Sequence, residues 1–99
     1  MDIVKKRRLE RENLISKITE GLQKVKDNND SFPYDFKTLL MIIQSKMPIT
    51  RRTAVEYLNI ALFNVGLSKN KLPYKSTNYN IQFEIILDGD IKKWKNVML

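Results

Sequence analysis

The chain has 99 residues, with 18 Lys and Arg against 11 Asp and Glu, a formal net charge of +7, and neither Cys nor His. That length suits a single domain over 1–99, and the lack of Cys and His removes disulfides, thiolate chemistry, Cys- or His-ligated metals and the usual imidazole general base. The hydrophobic fraction of 42% fits a folded domain, no apolar run approaches the ~20 residues that span a bilayer, and a pI near 9.7 points to a polyanionic partner, nucleic acid before others.

The N-terminal run Lys5-Lys6-Arg7-Arg8 has the charge of a signal peptide, but no apolar stretch follows it. No secretion signal is expected, and a cytoplasmic location is. From about Leu9 to Val25, Leu14, Ile15, Ile18, Leu22 and Val25 recur at three- and four-residue steps and predict a first helix. Gly21 softens its last turn. The polar cluster Asp27 to Ser31 reads as a loop, and Pro33 disfavours helix at Phe32.

A second helix is predicted from about Tyr34 to Lys46, with Phe36, Leu39, Leu40 and Ile43 on one face and Met41 and Ile42 widening it. Met47-Pro48 stops it. Thr50 then suits the N-cap of a third helix. Val55, Leu58, Leu62 and Val65, with Ala54 and Ala61, form its core stripe, and Gly66 ends it as a glycine that tolerates positive φ.

After Gly66 the period changes. Tyr79, Ile81, Phe83, Ile85 and Leu87 alternate with Asn80, Gln82, Glu84, Ile86 and Asp88, which predicts a half-buried strand. Leu72 and Tyr74 suit an edge strand beside it, limited by Pro73, with a turn at Lys75 to Asn78. The tail 89–99 carries Ile91, Trp94 and Met98 at helical spacing.

Two helices, a tight turn, a third helix and a hairpin make an order that resembles the winged helix-turn-helix regulators of DNA. The resemblance runs from Tyr34 to Leu87. It rests on Ile49-Thr50-Arg51-Arg52-Thr53-Ala54-Val55-Glu56-Tyr57-Leu58, on Leu62, and on Gly66-Leu67. It implies an α+β, mostly helical fold: a basic extension at 1–11, a helix-turn-helix at 34–66, a wing hairpin at 67–88 and a C-terminal segment at 89–99. It implies a recognition helix over 50–65 in the major groove of double-stranded DNA. Phe63-Asn64 and the long interval from Leu67 to Tyr79 depart from the family pattern.

The residues support that expectation on their own terms. On a helical wheel Arg52, Thr53, Glu56, Asn59, Ile60 and Phe63 fall opposite the core stripe, with Arg51 at the helix start. Arg51 and Arg52 can bond guanine in a bidentate manner, or stand as a solvated surface pair. Thr50 and Thr53 can meet a phosphate, and Thr53 also a thymine methyl. Glu56 can accept from cytosine, but an i, i+4 pair with Arg52 is the plainer expectation. Lys69, Lys71 and Lys75 suit either phosphate contact or protection of a sheet edge. Lys5, Lys6, Arg7 and Arg8, followed by Arg11, suit either an arm along the duplex or a solvated helix start.

Ile60 and Phe63 lie off the core stripe, covered either by the first helix or by another subunit. A homodimer is expected, since paired recognition helices read two-fold sites. No cofactor, metal or catalytic constellation is expected: the carboxylates lie at turns and caps, and the three glycines form no phosphate loop. The sequence therefore points to a small regulator of transcription, of a kind that suits an archaeal, plasmid or viral origin. The alternative is an adaptor in DNA segregation or replication that uses the same fold to bind protein.

Overall fold

Four α-helices and one turn of 3-10 helix succeed one another in the computed structural model of the chain, which describes residues 3–76 and 82–87. The helices are α1 (Ile3–Asn28), α2 (Phe36–Lys46), α3 (Arg51–Asn64) and α4 (Gln82–Leu87), with the 3-10 turn at Lys69–Lys71. α1 packs against α3 and α4, and α2 packs against the same two helices. None of the helices is long and apolar enough to cross a membrane.

The expected stripe of α1 is its buried face: Ile15, Ile18, Leu22 and Val25 enter the core. The helix begins six residues before the expected Leu9 and continues through Gly21 to Asn28. The Asn29 side chain then donates to the Val25 carbonyl at 2.7 Å, satisfying one of the carbonyls left open at the helix end.

Asp35 caps α2, its carboxylate accepting from the Thr38 N–H at 2.7 Å. Leu39, Leu40, Ile42 and Ile43 are buried, while Met41 faces outward. Met47, Pro48, Ile49 and Thr50 alone separate α2 from α3. The Ile49 N–H donates to the Met47 carbonyl at 2.9 Å, a three-residue turn centred on Pro48. That turn is tight because Pro48 holds its φ and has no N–H to satisfy.

Thr50 caps α3 as expected, accepting from the Thr53 N–H at 3.2 Å. Ala54, Tyr57, Leu58, Ala61 and Leu62 are buried, and Val55 is half-buried. Gly66, at φ +77°, ends the helix. The Leu67 N–H reaches the Leu62 carbonyl at 2.8 Å and the Gly66 N–H reaches Phe63 at 3.1 Å, the paired bonds of a Schellman ending. Lys26 of α1 adds a donor to the Val65 carbonyl at 2.8 Å, a cation at the negative end of the helix.

The expected hairpin is where the structure differs. There is no strand among the described residues, so the α+β winged architecture is replaced by a helical one. Leu72 and Tyr74 lie outside any strand, just after the 3-10 turn, and Gln82–Leu87 is helical. Phe83 and Leu87 explain the difference. Positions four apart share a face in a strand and in a helix alike, so their burial suits both periods. The surroundings decide: Phe83 packs its ring 6.0 Å from Tyr34, which in turn stands 6.1 Å from Phe32. A six-residue helix is too short to hold alone, and α4 is held by the α1 and α2 surfaces it covers. The expected turn residues Thr77 and Asn78, the strand start at Tyr79, and the tail 89–99 with Trp94 lie outside the described residues.

Candidate nucleic-acid interface

The face of α3 turned away from the core carries Arg51, Arg52, Glu56, Asn59 and Phe63, all exposed. Thr53 and Ile60 are half-buried at its margins. Ile60 packs against the core cluster, whereas Phe63 is 82% exposed. Thr50 and Thr53 are engaged with each other: besides accepting from the Thr53 N–H, the Thr50 hydroxyl donates to the Thr53 oxygen at 3.0 Å.

Arg51 and Arg52 occupy the first turn of α3, which holds no acidic residue. The amide dipoles of a helix place partial positive charge at that end, so cations there oppose the helix by several tenths of a kcal/mol, about 0.3–1 each. Helix stability does not account for this placement. An anion brought to that end would meet the helix N-terminal N–H groups, the dipole and both guanidinium groups together.

Glu56 does not pair with Arg52, contrary to the sequence expectation. Its partner is Arg11 of α1, whose guanidinium nitrogen stands 2.9 Å from the carboxylate oxygen and whose central carbon lies 5.7 Å from the Tyr57 ring centre. Arg11 thus neutralises the one acid on the exposed α3 face and leaves Arg52 uncommitted to it. Lys5, Lys6, Arg7 and Arg8 fall within the first turns of α1 rather than in a separate arm, and Arg8 is exposed.

A cleft of about 870 Å³ opens between the start of α2, the start of α3 and residues 69–75. Lys37, Arg51, Lys69 and Lys75 line it, together with Phe36, Val55 and Tyr74. The Lys69 ammonium lies 4.8 Å from the Phe36 ring centre. Lys71, expected beside Lys69 and Lys75, lines a second hollow, with Lys26 and Phe32. The three expected lysines therefore divide between two surfaces.

Asp35 holds the cleft's outer wall in place. Its N–H donates to the Ser76 hydroxyl at 3.0 Å, and its carboxylate accepts from the Ser76 N–H at 3.3 Å. Burial pushes the Asp35 carboxyl upward, but the hydrogen bonds from Thr38 and Ser76 and the nearby Lys37 charge outweigh it, so the group sits below its ordinary value. At neutral pH it is a committed acceptor, with one oxygen on α2 and the other on the loop.

Lys37 is not among the residues the sequence marks for DNA contact, and Arg11 enters there only with the Lys5 to Arg8 run, not as a partner of Glu56. Lys37 follows a capping Asp and carries no motif of its own; only the closure of α2 against α3 brings it beside Arg51. Arg11 meets Glu56 from 45 positions away in the chain, a separation that no local pattern encodes. Comparison of the chain with protein-family models, with curated proteins and with solved structures gave no match.

Proposed function

We propose that this chain binds double-stranded DNA through the exposed face of α3 and acts as a small regulator of transcription. The observation that carries this reading is the pair Arg51 and Arg52 in the acid-free first turn of α3. They are exposed at the end of a helix joined to α2 by Met47 to Thr50 alone. Two helices joined by so short a turn support a helix-turn-helix reading, and a helix of this length fits the major groove with its first turn toward base edges. Arg52 would bond guanine, and Arg51 a base or the flanking phosphate. Thr53 would donate to phosphate, and the basic turns of α1 from Lys5 to Arg8 would supply affinity without sequence preference. Two copies would read a two-fold site.

Anisotropy titration of a labelled duplex pool at low salt tests the reading. Arg51→Ala and Arg52→Ala are each expected to weaken binding to a preferred site by about 1–3 kcal/mol. Neutralising Lys5 to Arg8 is expected to weaken all duplexes alike and to flatten the salt dependence. Unchanged affinity in both arginine variants contradicts the assignment.

A second reading is supported by Phe63. At 82% exposure it is a large apolar side chain on the same helix face, which suits an adaptor that binds protein. Failure to bind any duplex, together with capture of a protein partner lost in Phe63→Ser, would favour it.

A further inference from the structure

We infer that the cleft between α2, α3 and residues 69–75 takes unpaired nucleotides of a single nucleic-acid strand, a ligand different from the duplex proposed for α3. Four cations line it, Lys37, Arg51, Lys69 and Lys75, against the carboxylate of Asp35. That carboxylate is occupied by hydrogen bonds from Thr38 and Ser76, so the cleft keeps a surplus of positive charge for an anion. The cations come from three parts of the chain and line one cleft, which suits successive phosphates more than one isolated anion.

The aromatic residues supply the second half of the recognition. Tyr74 is 95% exposed on the cleft wall, the most exposed of the large apolar side chains among the described residues. A tyrosine held outward beside lysines offers a ring face on which a base can stack, and every base has such a face. Phe36 lies deeper, with the Lys69 ammonium over its ring at 4.8 Å. This contact holds the Lys69 ammonium within the cleft. A duplex keeps its bases stacked on each other, so Tyr74 has no such use there; an unpaired strand frees them. The paired Asp35–Ser76 hydrogen bonds fix the wall that carries Tyr74.

Anisotropy of a labelled oligothymidine strand of about a dozen nucleotides, at roughly 50 mM salt, tests the inference on the full chain. Binding is expected. Tyr74→Ala should weaken it about five- to a hundredfold, and Tyr74→Phe should retain it, because the ring does the stacking. Lys37→Gln and Lys69→Gln should each weaken it further and reduce its salt dependence. Duplex binding should stay within about twofold in Tyr74→Ala, and Arg52→Ala should leave the single strand bound while weakening the duplex. The two readings thus fail separately. Absence of single-strand binding, or Tyr74→Ala without effect, overturns the inference. Equal loss of duplex and single strand in Tyr74→Ala overturns the cleft as a separate site. Competition by free thymidine monophosphate at concentrations near those of the oligonucleotide overturns the strand as ligand in favour of a free nucleotide.

Discussion

Arg11 of α1 and Glu56 of α3, 45 positions apart in the chain, meet at 2.9 Å. Their side chains are 46% and 58% exposed, so the pair is well solvated and contributes at most about 1 kcal/mol to stability. Its larger consequence is electrostatic: it cancels a negative charge in the middle of the face assigned to DNA. Arg11→Ala is therefore expected to shift the urea midpoint little while weakening duplex binding clearly. Glu56→Gln in the same chain should recover part of that loss. Binding and unfolding measured on both variants check the account; a large stability loss with unaltered binding would contradict it.

Asp35 gives the fold a pH dependence of known sign. Its carboxyl lies below the ordinary value in the folded chain, so the unfolded chain takes up the proton first. The stabilisation is complete above the unfolded value of about 3.9 and is lost as pH falls through the lower folded value. Asp35→Ala should cost about 1 kcal/mol at neutral pH through the lost cap. Asp35→Asn keeps a capping oxygen that does not titrate. Between pH 5 and 2.5 wild type should lose stability relative to Asp35→Asn in urea unfolding; parallel curves would contradict the role.

Gly66 should resist substitution for a reason of backbone alone. Its φ is +77°, and a Cβ there would meet nothing nearer than the Lys26 Nζ at 3.7 Å, an ordinary contact. Gly66→Ala should therefore cost about 1–2 kcal/mol, from the left-handed conformation rather than from a clash. A chemical denaturation midpoint measures it.

Phe83 is fully buried against Tyr34, whose own hydroxyl is pushed above its ordinary value by burial despite a hydrogen bond to the Phe83 backbone. Phe83→Ala should cost about 3–5 kcal/mol and should lower helical circular dichroism by releasing α4. Retained helicity at equal stability would contradict the position of α4 in the core.

Much of the helical scaffold is written locally. The stripe Ile15, Ile18, Leu22 and Val25 marks one buried face. Thr50 marks a helix start through a bond to the N–H three residues on, and Gly66 marks an end through its backbone freedom. These features depend only on near neighbours, and the sequence displays them. The Phe83–Leu87 segment is different. Alternating and helical spacing both bring those two residues to one face, and the surfaces they pack on, Tyr34 among them, lie far along the chain. The site divides in the same way. The exposure of Arg51, Arg52 and Glu56 follows from the α3 wheel, while the Arg11–Glu56 pair and the meeting of Lys37 with Arg51, Lys69 and Lys75 depend on tertiary closure. The lysine grouping expected on a wing was not legible, because it rested on the strand period.

The central claim is that the first turn of α3 reads duplex sequence. Selection of bound duplexes from a random pool, run in parallel on wild type and Arg52→Ala, tests it most directly. The account predicts that wild type enriches a shared site with two-fold symmetry and a guanine that Arg52→Ala no longer selects, while Arg52→Ala still retains duplex of indifferent sequence. No enrichment by wild type, or the same enriched site from both proteins, would contradict it.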